Sequence, residues 1–364
     1  MVSKKNKGIS IIVCCYNSEK VLPETFKHLL NQDIKDDLPC ELIIVNNNSS
    51  DHTANVVESF SVELRKKFSF TFTNEKNQGL SQARMRGISI ATREFILFCD
   101  DDNHLDSNYI SMAYQIMIAS PNIGILGGFG KASTETGKPF WFHKYENVYA
   151  IGKQGTHSGI VNGRKYLYGA GMILRKEIFD LLEKIQFQPL LTDRKGNRSS
   201  SGGDSEICLL ALQLGYDLYY DERLRFTHFI LTERLQWPYC VTMISKGFAF
   251  PQFYYAMYEY CLKVVTTNEN AGFEQLYKWQ KRKLLRILWF ECNSIKKSFS
   301  SLHAMLISKP GNDHEIRLKT AWNKLRHLEK NKYLLAGDFE KILCIVQKAA
   351  LLNVQSQILL NQAL

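Results

Sequence analysis

The chain has no run of 18 or more uncharged apolar residues, so no stretch of it can build a helix that crosses a bilayer. Lys4, Lys5 and Lys7 lead into a short β-branched run rather than a long apolar one, so no signal peptide is expected. The nine cysteines are scattered without paired metal-ligand spacing. Cys14, Cys99 and Cys208 lie inside apolar runs and read as reduced core residues, which suggests a reducing, cytoplasmic setting. No Walker loop is present, and no G-x-G-x-x-G follows the first apolar run, so neither phosphate-binding glycine loop is indicated. No G-x-S-x-G nucleophile elbow is found. There is no internal repeat.

What is present is a chain of 364 residues, longer than one average domain. Its 45% hydrophobic and 23% charged residues are the proportions of a soluble globular protein. Lys and Arg outnumber Asp and Glu by 46 to 36, a formal charge of +10. That excess favours an anionic partner: nucleotide phosphates, nucleic acid or an anionic membrane surface.

The first hundred residues alternate regularly. Ile9 to Cys15 is a β-branched strand, broken by Tyr16-Asn17-Ser18. Ser18 or Asn17 is placed to cap a helix from about Glu19 to Asn31. Glu41 to Val45 is a second strand, ending in Asn46-Asn47-Asn48-Ser49-Ser50-Asp51. A helix through Val57 and Phe60, a strand Phe68 to Thr73 and a helix Leu80 to Ile90 follow, then the apolar run Phe95 to Cys99. This β-α-β-α-β-α-β rhythm predicts a parallel, doubly wound sheet. Tyr109 to Ala119 reads as a helix and Ile123 to Leu126 as a strand. Gly127 to Gly169 reads as a loop region over a site. Gly169 to Leu174 is predicted as a strand, Leu191 to Gly203 as a polar loop, and Ser205 to Leu214 as a helix closed by Gly215. Short strands are expected at Asp217 to Tyr220 and Leu224 to Thr227. Beyond Trp237 glycine thins out and helical periodicity takes over. Two domains are therefore expected, 1–237 and a basic helical region 238–364. In the latter, Trp279, Leu284, Leu285, Ile287, Leu288 and Phe290 read as one apolar face flanked by Lys281, Arg282, Lys283 and Arg286.

The stretch Glu94 to Asn103, E-F-I-L-F-C-D-D-D-N, concentrates the chemistry. A strand buried on both faces ends in Asp100, Asp101 and Asp102. Adjacent carboxylates repel, and a hard divalent cation removes that cost. Ligands of open α/β sheets bind at the carboxyl ends of strands, so the polar turns at Tyr16-Asn17, Asn47 to Asp51, Asp100 to Asp102 and Asp204 to Glu206 are expected to converge. For each residue two readings stand together. Tyr16 is a base-stacking ring or a turn aromatic. Asn47 is a base-edge partner or a turn residue. Arg84 is a diphosphate contact or a solvated surface residue. Asp204 is a general base or a helix cap. His228 is a metal ligand or a half-buried histidine.

The ordered set I-I-V-C-C-Y-N-S-E-K-V-L, E-L-I-I-V-N-N-N-S-S-D, N-Q-G-L-S-Q-A-R-M-R-G, F-C-D-D-D-N-H-L-D-S-N-Y-I, G-A-G-M-I-L-R-K-E-I-F and G-G-D-S-E-I-C-L-L-A-L-Q-L-G-Y resembles the family 2 inverting glycosyltransferases over Ile9 to Trp237. The resemblance implies a GT-A fold: a Rossmann-like, mostly parallel α/β sheet flanked by helices, here with a helical C-terminal region. It implies a donor site in which Tyr16 and Asn47, with Asn17 beside them, hold the nucleobase of a sugar nucleotide. Asp101 would contact the ribose, and Asp102 would bind Mn²⁺ or Mg²⁺ on the diphosphate, with Asp100 and Arg84 nearby. His228 would complete the metal site or touch phosphates, and Gly169 and Ala170 would line the sugar pocket. Asp204 would be the base. The family often has Asp where this chain has Asn46 or Asn47, and commonly Glu where it has Gly203, which makes Glu206 a reserve base or acceptor contact. The implied partners are a UDP-sugar and a glycan or lipid-linked acceptor, as in bacterial surface polysaccharide or O-antigen assembly. Peripheral contact with the inner face of an anionic cell membrane belongs to the same expectation. A non-catalytic sugar-nucleotide or glycan-binding module of the same fold is the rival reading. A nucleic-acid binder rests on charge alone, and no nucleic acid partner is expected.

Overall fold

The structure, a computed structural model, describes residues 6–35, 37–191, 193, 201–267, 272–296 and 310–363, with the side chains of 294–296 and 354–363 outside the description. The residues divide into two compact units. One comprises Met1–Glu135, Tyr149–Asn197 and Gly203–Leu231; the other Thr136–Val148, Arg198–Gly202 and Thr232–Leu364.

The first unit is a nine-stranded sheet flanked by helices. Its strands are β1 (Ile9–Cys15), β2 (Cys40–Asn46), β3 (Ser69–Asn74), β4 (Phe95–Asp100), β5 (Asn103–Leu105), β6 (Ile123–Thr134), β7 (Gly159–Ile160), β8 (Ile173–Arg175) and β9 (Asp217–Ile230). Their order is β3-β2-β1-β4-β8-β6-β9-β5, with β7 on β9. The helices are α1 (Leu22–Leu30), α2 (Thr53–Lys67), α3 (Leu80–Ile90), α4 (Tyr109–Ala119), α5 (Lys176–Lys184) and α6 (Gly203–Gln213).

The alternation of the first hundred residues becomes four adjacent parallel strands, β3-β2-β1-β4. β1, β2 and β4 are buried on both faces because helices cover both, whereas β3 at the edge alternates Phe with Thr and is only half-buried. Ile11, Val13, Leu42, Ile44, Leu97, Phe26, Val57 and Ile110 close one core cluster.

Several local expectations shift. Neither Asn17 nor Ser18 caps α1, whose N-terminus has no side-chain cap. Ser18 instead donates its backbone N–H to Thr53 Oγ1 and its hydroxyl to Asp101. The stretch Gly169 to Leu174 is extended only from Ile173, and the strand it forms runs antiparallel to β4 and β6. Gly127 does not open a loop: β6 continues to Thr134 alongside β9. The two short strands expected between Asp217 and Thr227 are one, because a register shift between Gly127 and Phe129 takes up the irregularity without breaking the pairing. Of the polar loop Leu191 to Gly203, residues 192 and 194–200 lie outside the described residues.

The second unit is helical: α7 (Trp237–Thr242), α8 (Pro251–Thr267), α9 (Phe273–Lys296), α10 (Asp313–Lys330) and α11 (Lys332–Ala363), with a π-helical turn Met243–Gly247 after α7. Trp237 packs against Trp141 and Tyr145, and its indole donates to Glu315 at 3.1 Å. Glu291 of α9 pairs with His314 and Arg317 of α10. The single apolar face expected on α9 does not exist. At 100° per residue its members fall on opposite sides. Leu284 is buried, while Trp279, Leu285 and Phe290 are exposed, together with Trp289. No helix among the described residues is long and apolar enough to cross a membrane.

Candidate active site

The carboxyl ends of β1, β2 and β4 bring three of the expected turns together. After β1, Asn17 adopts a left-handed backbone with φ 54°, which Asn tolerates because its short polar side chain bonds locally. Its Oδ1 accepts from Ser50 N at 2.8 Å and its N–H donates to Ser49 Oγ at 3.0 Å, which joins the first turn to the second. Tyr16 stands 42% exposed, its ring open to a stacking partner. Gln78 reaches its hydroxyl at 3.3 Å. Asn47 is buried. Its amide nitrogen donates to Glu75 O and Asn77 O at 3.1 and 2.8 Å, and its Oδ1 accepts from Gly79 N at 2.7 Å. The side chain thus shapes the β3–α3 loop, and only a second lone pair on Oδ1 is left for a nucleobase.

The acidic turn after β4 spreads its carboxylates in three directions, as repulsion requires. Asp100 faces Arg84, with Nη2 to Oδ1 at 3.6 Å. Asp101 accepts from the Ser18 hydroxyl, and its carbonyl accepts from Thr25 Oγ1 at 2.7 Å. Asp102 is buried and lies 3.3 Å from His228 Nε2. The β5–β9 pairing, which sets Asn103 opposite His228, brings those two side chains together.

His228 Nδ1 lies 2.7 Å from the Tyr149 carbonyl. A carbonyl only accepts, so Nδ1 carries the hydrogen and the lone pair of the neutral ring is on Nε2, facing the Asp102 carboxylate. Two acceptors facing each other in a buried place call for a proton or a cation between them. A divalent ion fits this donor set, one carboxylate and one imidazole, with the rest of its shell left to phosphate oxygens and water. Among the described residues no group of three or more His, Cys, Asp or Glu side chains forms a ready metal cage.

The fourth turn arrives from the other half of the sheet. Asp204 lies in the first turn of α6, where its Oδ1 accepts from Ser205 N at 2.7 Å and its Oδ2 from Gly169 N at 2.9 Å. Burial, and then the negative charge of Asp193, push the Asp204 carboxyl up to about 6, against the pull of Arg84 and of the two backbone N–H donors. Arg84 is buried beside it, its Nη1 3.2 Å from Asp193 Oδ2 and its guanidinium 4.8 Å above the Phe98 ring. Burial opposes its charge, but Asp193, Asp100 and Asp204 outweigh that and hold its pKa above the ordinary value. Gly169 is required where it stands: a Cβ there would meet Arg84 Nη2 at 2.8 Å and Asp204 Oδ2 at 3.2 Å. Ala170, next to it, is buried.

Glu206 is buried, and its carboxylate accepts from the backbone N–H groups of Leu190 and Leu191 at 3.1 and 3.0 Å. It anchors the chain that leads to Asp193. A cavity of about 500 Å³ lies behind Arg84 and Asp193, among α3, α5 and α6. Met85, Ile88, Phe179 and Phe187 give it apolar walls unsuited to a diphosphate.

Sequence reasoning placed Asp193 in a polar loop without a role, gave Ser18 only a capping role, and did not single out Ser81 or the Tyr149 carbonyl. All four act through partners far away in the chain, and no local pattern marks them.

The model of glycosyl transferase family 2 matches residues 10–182. The cholesterol galactosyltransferase of Borreliella burgdorferi is 31% identical over 107 residues, 29% of this chain and 28% of that one. The GalNAc(5)-diNAcBac-PP-undecaprenol beta-1,3-glucosyltransferase of Campylobacter jejuni is 32% identical over 127 residues, 35% of this chain and 38% of that one. The alignments thus span about a third of these relatives' lengths. A solved structure of TarS residues 1–349 from S. aureus, in complex with UDP-GlcNAc, superposes on 90% of this chain and 92% of that one, at 18% identity and a TM-score of 0.48.

Proposed function

Residues 10–182 match the model of glycosyl transferase family 2, and on that ground we propose that the chain belongs to this family and transfers a sugar, with inversion, from a UDP-sugar to a hydroxyl of a lipid-linked glycan acceptor. The observation that carries the reading is Asp204: a carboxylate in a helix's first turn, pushed up to about 6, with a buried arginine beside it. Such a group is ionised at neutral pH and basic enough to take a hydroxyl proton.

Tyr16 stacks on the base and Asp101 meets the ribose. Arg84 offers its guanidinium to the diphosphate. Asp204 removes the proton of the acceptor hydroxyl. The acceptor oxygen attacks the anomeric carbon on the face opposite the nucleotide. The carbon–oxygen bond to the diphosphate breaks, and its electron pair leaves with the nucleoside diphosphate. Asp102 and His228 would hold Mn²⁺ or Mg²⁺, which neutralises charge on the leaving group.

The lipid-linked acceptor is supported by two relatives, whose names give cholesterol and a PP-undecaprenol glycan. It is supported also by α9, whose exposed side chains include Lys278, Arg282, Lys283 and Arg286 among Trp279, Trp289 and Phe290. Cations and aromatic rings together suit an anionic lipid surface.

The test is donor turnover and donor binding in wild type and Asp204→Asn. Turnover should fall by roughly 10²–10⁴-fold with donor affinity kept. Equal turnover in the two proteins would reject Asp204 as the base, and the absence of any donor turnover in wild type would favour a non-catalytic binding module.

A further inference from the structure

The position before Asp204 carries no side chain, and the structure shows what stands in its place. A Cβ at Gly203 would lie 2.6 Å from Asp193 Oδ2 and 3.2 Å from Asp193 Cγ. The Asp193 carboxylate therefore occupies the space where a side chain at 203 would begin. Gly203 N donates to Asp193 Oδ1 at 2.9 Å, across ten residues of chain. The other carboxylate oxygen takes Arg84 Nη1 at 3.2 Å, and the Asp193 backbone N–H donates to Ser81 Oγ at 3.0 Å.

Asp193 is 5% exposed. A carboxylate so dry is tolerated only with its oxygens satisfied, and here a backbone amide and a guanidinium do so. The result is a three-way tie. Ser81 and Arg84 belong to α3, Gly203 opens the helix that carries Asp204, and Asp193 joins them. A Cβ at Gly169 would meet both Arg84 Nη2 and Asp204 Oδ2, so the two groups lie on the same side of Gly169 and whatever fixes Arg84 also fixes the environment of Asp204.

Resting on the reading of Asp204 as the base, we propose that Asp193 is its positioning residue: its carboxylate replaces a side chain at 203, holds Arg84 in place, and supplies the negative charge that keeps Asp204 a strong base. The charged and titratable groups around Asp204 are few. Arg84 faces it from α3 and Asp193 from the segment before α6. Asp100, at the end of β4, and Cys14, on β1, face Arg84. Burial pushes the Cys14 thiol up to about 12, so it stays neutral. Cys208, one turn along α6, is likewise pushed up by burial and stays neutral. Asp193 is thus the carboxylate next to Asp204 that can be neutralised without touching the turn after β4.

The experiment needs no substrate. Aspartate carboxyl carbons are labelled with ¹³C and titrated by NMR in the full chain, with Asp204→Asn used to assign the Asp204 signal. Wild type should show that carboxyl titrating at about 6. In Asp193→Asn the midpoint should fall by about one pH unit, because a like charge has gone. Gly203→Ala keeps Asp193 but pushes its carboxylate away, and should move the midpoint in the same direction; it serves if Asp193→Asn does not fold. In the double variant Asp193→Ala with Gly203→Asp, which returns a carboxylate from the other position, the midpoint should rise again. Melting temperatures are recorded alongside: a lower Tm with an unmoved midpoint would mean a structural role only and overturn the proposal. Failure of nucleotide binding would leave this titration intact, so the two readings fail separately.

Discussion

Asp204 carries most of the account at the scale of single residues. Because its carboxyl is pushed up to about 6, kcat/KM should rise with pH through that value and level off above it. The acidic limb should vanish from the residual activity of Asp204→Asn. Stability should move the other way. A raised carboxyl pKa means the folded state binds more protons than the unfolded one, so this group's contribution is fully present below about 4 and is lost as pH rises through about 6. The stability of wild type relative to Asp204→Asn should therefore decrease between pH 4 and pH 7. A difference that stays flat across this window, followed by Tm, would show that Asp204 is not perturbed. Gly169 offers a second test. The nearest obstacle to a Cβ there, Arg84 Nη2 at 2.8 Å, is itself held by Asp193. Gly169→Ala should fold with a loss of roughly 1–3 kcal/mol and lose donor turnover well beyond that. Unchanged turnover would mean the site has slack that its geometry does not show.

Secondary-structure elements explain which parts of this site could be read in advance. β1, β2 and β4 were legible because both their faces are buried, which writes an unbroken apolar run, and because each ends in a polar turn. Tyr16, Asn17, Asn47 and the Asp100–Asp102 cluster follow from strand ends alone. The antiparallel β8 was harder: three residues carry no periodicity, and its direction is fixed by pairing with β4 and β6. The unbroken course of β9 was hidden by Asp221, which looks like a turn residue and in fact pairs with Arg223 inside the strand. The caps misled for a related reason. Ser18 carries a capping side chain, but α1 begins only at Leu22, past its reach, and its hydroxyl donates to a carboxylate on another strand end. That contact joins the first and third turns. Ser18→Ala should cost roughly 1 kcal/mol of stability and weaken donor binding through a loosened Asp101, measurable by calorimetry. Unaltered donor affinity would separate Asp101 from the ribose.

For the molecule as a whole, charge and composition point outward to its partners. The chain carries ten more positive than negative charges. On α9 four cations stand among exposed aromatic rings, whereas Lys281, Lys319 and Lys332 of the same unit are paired with glutamates. Flotation with anionic liposomes should therefore show binding that weakens with salt and drops when Trp279, Trp289 and Phe290 are replaced by serine. Salt-insensitive behaviour, or none, would remove the membrane from the account. The claim on which the rest depends is the donor site. The most direct measurement is calorimetry of UDP, GDP and CDP, with and without Mn²⁺, on wild type, Asp102→Asn and Asp204→Asn. Metal-dependent binding of UDP, lost in Asp102→Asn and kept in Asp204→Asn, is the expected result. No binding of any nucleotide to wild type would reduce the Asp cluster to a structural turn and contradict the account at its centre.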